Sequence, residues 1–204
     1  MSGILHLTSS IILRVTSRDN SLLRRTRAVR DGKLKELIFV EGLRLCEEAL
    51  ASGLKIDSVV FSEEIARKER AVAVLQELGR VCGQLVAVSE KLLASISFTK
   101  TPQGIILLAS RPACDRAPFE HAQPAAPLIV VVHGVNNPVN VGAILRTAEA
   151  AGATGAIATA HTADPFSPKA LRGAMGSAFR LRVWIGPTYQ DVLTWCAQHD
   201  IATV

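Results

Sequence analysis

"HGVNNPVNVGAILRTAEAAG", residues 133–152, sets three asparagines, a proline and two glycines between an apolar run and a helix-like segment. The run before it, "PLIVVVHGV", is β-branched without a break from Ile129 to Val132 and suits a strand buried on both faces of a parallel sheet. Right-handed crossovers then bring the loops that follow such strands to one edge of the sheet, where ligands bind. The loop has neither the G-x-G-x-x-G spacing of a dinucleotide site nor the G-x-x-x-x-G-K-[ST] of a phosphate loop, which excludes both. Its asparagine amides offer donors and acceptors without charge, Pro138 stiffens the turn, and Gly142 admits a close backbone approach at the helix start. Arg146 follows one turn along the helix, within reach of the same edge. Taken one at a time, the asparagines are also explained by turn chemistry and capping, and Arg146 by a surface ion pair with Glu149.

After this loop the chain reads helix "VGAILRTAEAAG", strand "GAIATAH", loop "TADPFS", helix "PKALRGAMGSA", strand "LRVWIG" and helix "PTYQDVLTWCAQHD". The last four residues, "IATV", read as the opening of a further strand, so the chain is expected to be a fragment of a longer protein. Upstream, "ELIFVE", "IDSVVFS", "QLVAVS" and "QGIILLAS" are strand-like. They alternate with the helix-like "GLRLCEEALASG" closed by Gly53, "EEIARKERAVAVLQELG" closed by Gly79, and a short helix at "EKLLASIS", which predicts a small α/β sandwich. Residues 111–127, "RPACDRAPFEHAQPAAP", hold four of the nine prolines and no apolar periodicity, the composition of a linker. The expected organisation is therefore an α/β domain at 1–110, a linker at 111–127 and a parallel-sheet domain at 128–204. His121, with no partner of metal-ligand type near it in sequence, reads as a solvated loop residue.

The chain has 204 residues, 49% of them apolar, enough to bury a core, and a formal net charge of +5. The charge is concentrated. Residues 14–35 carry eight basic side chains (Arg14, Arg18, Arg24, Arg25, Arg27, Arg30, Lys33, Lys35) against Asp19 and Asp31. The pattern predicts a helix capped by Asp19, Asn20 or Ser21, with an apolar stripe of Leu22, Leu23, Thr26 and Val29, ended by Gly32. Arg24, Arg27 and Arg30 recur every third residue and should line up beside the stripe as a phosphate-binding ridge. None of the nine aromatic residues lies among these arginines, so contacts to backbone and shape are expected there rather than base stacking. The cysteines, Cys46, Cys82, Cys114 and Cys196, show no metal-ligand spacing and read as thiols of a reducing cytoplasm, and no metal is expected. The opening "MSGILHLTSS" lacks a basic leader, and no apolar run is long enough for a membrane span.

"NNPVNVGAILRTAEAAG" closely resembles the first signature motif, [DN]-P-x-N-x-G-x-x-x-R-T-A, of the SpoU branch of the SPOUT RNA methyltransferases. "ADPFSPKALRGAMGSAFRLRV" resembles the stretch that follows, with Arg182 where a proline is expected, a departure that should loosen the strand start. Upstream, "RDNSLLRR" is similar to the S-x-x-N-x-x-[VIL]-[KR] opening of the family's substrate-binding domain apart from Arg18 and Asp19. "ELIFVEG" and "TPQGIILLA" are similar to that domain's F-x-[VI]-E-G and closing strand.

The resemblance implies a ribosomal-protein-like α/β sandwich followed by an α/β knot, incomplete in this chain. It also implies S-adenosylmethionine-dependent 2′-O-methylation of a ribose in ribosomal or transfer RNA, by a homodimer. The partner implied is RNA rather than DNA or a membrane. Arg146 would contact phosphate or the 2′-hydroxyl, and Asn140 would hold the site together. Asn20, Arg24, Arg25, Arg27, Arg30 and Arg172 would bind the substrate. The family's two later motifs, which carry most of the cofactor pocket, are expected beyond residue 204. The alternative is a non-catalytic RNA-binding protein that keeps the basic N-terminal domain.

Overall fold

The computed structural model describes residues 12–120 and 127–204. His121 and the opening "MSGILHLTSS" lie outside the described residues. The chain separates into two compact units, Met1–Arg111 and Pro112–Val204.

The first unit is a five-stranded mixed sheet in the order β1-β4-β3-β5-β2, covered on both faces. Its strands are β1 (Ile12–Arg14), β2 (Leu37–Glu41), β3 (Ile56–Ser62), β4 (Gln84–Val88) and β5 (Ile105–Ser110). The helices are α1 (Ser21–Arg30), α2 (Leu43–Ala51), α3 (Glu69–Val81) and α4 (Glu90–Ile96), with a 3-10 turn at Ile65–Arg67. β1 pairs parallel with β4, a strand that "IILRVTS" did not announce because only one of its three residues is even partly covered. β5 lies antiparallel between β2 and β3.

Alternation does the packing. Leu37, Phe39, Val60, Val86, Ile106 and Leu108 share one cluster with Leu22, Leu23 and Val29 of α1 and Leu92, Leu93 and Ile96 of α4. The intervening Ile38, Val40, Val59, Phe61, Leu85, Ile105 and Leu107 are equally buried, which is why these strands read as unbroken apolar runs. Asn20 caps α1, its side chain accepting from the Leu22 amide at 2.9 Å, and Gly32 follows the helix at φ +72°. Gly79 does not close α3. The helix runs through it to Val81, since a glycine at helical φ costs only about 1 kcal/mol and Leu78 behind it is fully buried.

The second unit is a three-stranded parallel sheet, β6 (Ile129–Val132), β7 (Gly155–Ala158) and β8 (Arg182–Ile185), in that order. Its helices are α5 (Ala117–Glu120), α6 (Pro138–Ala150), α7 (Pro168–Ala174), α8 (Ser177–Arg180) and α9 (Tyr189–Gln198). Five expectations are corrected here. β6 is not buried on both faces: Val132 is buried but Val131, on the opposite face, is 39% exposed, and among the described residues β6 pairs with β7 alone. "IATV" forms no strand: Asp200 turns at φ +53°, the Ile201 amide donates to the Cys196 carbonyl, and Ile201 folds back on the core.

Residues 112–120 are not a bare linker either. α5 sends Phe119 into the core beside Ile157, Val192 and Trp195, in space that exists because residue 155 is glycine: a Cβ there would lie 2.6 Å from the Phe119 ring. The Ile185 amide also donates to the Cys114 carbonyl. Finally, Arg182 starts β8 in regular register opposite Gly155, so the strand start is not loosened. The single helix expected over "PKALRGAMGSA" is broken between α7 and α8 by left-handed Met175 and Gly176. Among the described residues no helix is long and apolar enough to cross a membrane.

Candidate active site and basic helix

α6 begins earlier than its apolar pattern suggests. Asn137 is the N-cap, accepting from the Val139 amide at 2.9 Å, and Pro138 occupies the first helical position, where its missing N–H costs nothing. Asn140 and Gly142 are thus already helical. Gly142 does permit a close approach, and what approaches is α7. A Cβ on Gly142 would lie 2.2 Å from the Ala170 carbonyl oxygen, and one on Gly173 would lie 3.0 Å from that of Val139. Two glycines therefore let α6 and α7 cross backbone to backbone.

Arg146 stands one turn beyond Gly142, and Arg172 immediately precedes Gly173. Both are exposed, with no ion pair or hydrogen bond among the described residues. Arg146 makes no ion pair with Glu149, which is taken by Arg180 of α8, Nε and Nη2 donating to its two carboxylate oxygens at 2.5 and 2.9 Å. The Arg180 guanidinium holds the Glu149 carboxyl below its ordinary range. Asn140 is exposed and makes no hydrogen bond among the described residues, so it ties nothing together within them.

The C-terminal edge of the sheet is finished by internal hydrogen bonds. Thr162 Oγ1 accepts from the Gly134 amide at 3.1 Å and donates to the Val132 carbonyl at 3.0 Å. Thr188 Oγ1 and Asp191 form a capping box for α9, which lowers the Asp191 carboxyl below its ordinary range. His133 Nδ1 lies 2.9 Å from Thr159 Oγ1. With these groups spent on one another, the described residues of this edge do not amount to a cradle for a nucleoside cofactor. Nor does any group of three or more His, Cys, Asp or Glu among them suit a metal ion.

In the first unit most of the expected ridge is engaged. Arg25 forms a two-pronged pair with Asp57, both contacts at 3.0 Å. Arg27 donates to the Arg18 carbonyl at 2.8 Å. Arg30 binds Asp31 at 2.8 Å and the Ser97 carbonyl at 3.2 Å, at the C-terminal end of α4. Asn20 has its oxygen in the cap. Arg24 is exposed and makes no contact of this kind among the described residues. The charges do not simply repel; each neighbouring guanidinium has found an acceptor.

A residue the motif contained but whose role spacing could not reveal is Glu41, 6% exposed at the end of β2. Its carboxylate accepts from Ser97 Oγ, from the Phe98 and Thr99 amides at 2.9 and 3.2 Å, and from Thr99 Oγ1 at 2.8 Å. An acid closing a run of apolar residues was the available signal, since such a charge is buried only when donors meet it.

Comparison with known proteins places both units. The model of the SpoU rRNA Methylase family matches residues 127–204, and that of an MRM3-like substrate binding domain matches residues 22–107. A solved RNA 2′-O ribose methyltransferase is 30% identical, with a TM-score of 0.72 over 92% of this chain and 70% of that one. An AdoMet-bound rRNA methyltransferase from Sinorhizobium meliloti is 28% identical, with a TM-score of 0.76 over 93% of this chain and 69% of that one. The mitochondrial rRNA methyltransferase 3A of Danio rerio is 33% identical over 181 residues, which are 85% of this chain but 40% of the zebrafish protein. The chain belongs to the SpoU rRNA methylase family.

Proposed function

We propose that the protein transfers the methyl group of S-adenosylmethionine to the 2′-oxygen of a ribose in ribosomal or transfer RNA. The observation that carries this reading is Arg146, a guanidinium left free beside the α6–α7 crossing because Arg180 occupies Glu149. The likeness to a 2′-O ribose methyltransferase and to an AdoMet-bound rRNA methyltransferase supports it.

The cofactor, when bound, supplies an electrophilic methyl group. What the chain adds is charge. A ribose hydroxyl is far too weak an acid to ionise unaided, and a fixed cation beside the developing oxyanion stabilises it. Arginine stays protonated, so Arg146 acts as stabiliser or phosphate anchor rather than as base. Arg172 adds a second positive charge from α7. In the first unit Arg24 supplies phosphate contact, while Arg25, Arg27 and Arg30 shape the surface around it. Asn20 serves that surface by starting the helix, and Asn140 faces outward at the first turn of α6 for substrate.

We further propose a homodimer working in the cytoplasm, where cysteines that form no disulfide among the described residues suit reducing conditions. Residues 1–110 serve as the substrate-binding domain and residues 128–204 as the methyltransferase domain. The test is to incubate the protein with labelled S-adenosylmethionine and total RNA, then map ribose methylation. Label at one or a few 2′-positions of ribosomal or transfer RNA is the expected result. RNA binding without any transfer would overturn it in favour of a non-catalytic RNA-binding protein.

A further inference from the structure

The chain has nine aromatic residues, and eight are buried or half-buried: Phe39, Phe61, Phe98, Phe119, Phe166, Phe179, Trp184 and Trp195. The ninth is Tyr189, 48% exposed at the start of α9. Its ring lies beside that of His133, with centroids 5.0 Å apart and planes tilted by 45°. His133 is itself exposed and is held by Thr159, a residue only 2% exposed, whose Oγ1 lies 2.9 Å from the imidazole Nδ1. A rigid histidine beside a surface tyrosine is thus built at the C-terminal edge of the parallel sheet, in the loop that leads into α6 and Arg146. The tyrosine hydroxyl makes no hydrogen bond among the described residues, and neither ring contributes to the Phe119–Trp195 core.

We propose that His133 and Tyr189 form a stacking platform for an unpaired nucleobase of the RNA substrate, which fixes the strand so that a neighbouring ribose faces Arg146. The inference rests on the RNA-modifying reading above. Flat aromatic faces bind any base, so the platform positions the strand without reading sequence. Arg146 lies about 12 Å along α6 from its first residue, at 1.5 Å per residue, so the stacked base belongs to a flanking nucleotide rather than to the ribose that reacts.

The probe is a short single-stranded RNA carrying 2-aminopurine, whose fluorescence is quenched by stacking. The protein and its Tyr189→Phe variant should both quench it, whereas Tyr189→Ala should lose the quench and bind roughly 5- to 100-fold more weakly. The salt dependence of binding should stay the same, because no phosphate contact is lost. His133→Ala should give a smaller loss of the same kind. Unchanged melting temperatures would show that the variants fold.

Equal quenching by Tyr189→Ala would overturn the proposal. Competitive loss of the wild-type quench on adding S-adenosylhomocysteine would also overturn it, by assigning the platform to the cofactor's adenine. The quench needs no methyl transfer. A protein that stacks the base in this way but methylates nothing would sink the proposed reaction and spare the platform.

Discussion

Arg180 holds Glu149 through two hydrogen bonds, of 2.5 and 2.9 Å, and so keeps that carboxylate away from Arg146, three residues earlier on the same helix. Arginine at i and glutamate at i+3 would otherwise meet on one face. The free charge at the site is therefore made by an ion pair that excludes it.

Arg146→Ala should lower methyl transfer on the order of 100-fold or more, the usual cost of removing one electrostatic stabiliser. Arg146→Lys should recover little, since an ammonium cannot copy the planar fork. The residue is exposed and unpaired among the described residues, so thermal denaturation of both variants should match wild type. Wild-type turnover by the alanine variant would remove the chemistry assigned to this helix.

Arg180→Ala should release Glu149 to Arg146 and slow turnover, and the double variant with Glu149→Ala should restore it. The stability change should be small, below about 1 kcal/mol, because the pair is partly open to solvent, with side-chain exposures of 40% and 27%. Its sign with pH is fixed: the folded Glu149 carboxyl lies below the ordinary 4.5, so the contribution is present above that value and fades as pH falls through the folded one. Denaturation at neutral pH and again well below pH 4.5 should show the difference between wild type and Arg180→Ala shrinking in acid.

Gly142→Ala should destabilise the second unit by roughly 1–3 kcal/mol, since the new methyl would meet the Ala170 carbonyl, and backbone cannot rotate away as a side chain does. Gly152→Ala makes the contrasting control. A Cβ there meets nothing within 4 Å, and its cost comes only from φ +85°. Chemical denaturation of the two variants separates steric from conformational effects.

Glu41→Ala should destabilise the first unit by about 2 kcal/mol or more, because the Phe98 and Thr99 amides lose their acceptor inside a covered site. Hydrogen exchange should show the 97–103 loop opening first. An unchanged exchange pattern would mean that water replaces the carboxylate without loss.

Arg24→Gln should weaken RNA binding and reduce the salt slope by about one, as expected for a single phosphate contact. Arg25→Gln and Arg30→Gln should act mainly on stability, since their guanidiniums are already held by Asp57 and by the Ser97 carbonyl. Binding measured across a salt series, together with melting temperature, distinguishes the two kinds of arginine.

What was legible in the amino-acid order was local or periodic. Alternating and helical apolar patterns placed β2 to β8 and most helices. The helix α1 was bounded by a cap at Asp19, Asn20 or Ser21 and by Gly32, and the N-P-x-N-x-G-x-x-x-R-T-A pattern singled out Arg146. Each of these rests on neighbours within a turn or a strand pair. Tertiary structure alone decided which partners met across long separations. Arg180 took Glu149, Asp57 took Arg25 out of the ridge, and Phe119 filled the space at Gly155 and turned part of an apparent linker into core. His133 and Tyr189, 56 positions apart in the numbering, became one surface. Strand order likewise left the apolar β6 paired with β7 alone among the described residues. A side chain's environment depends on what the fold carries to it, and hydrophobic periodicity records only which face is covered, not by what.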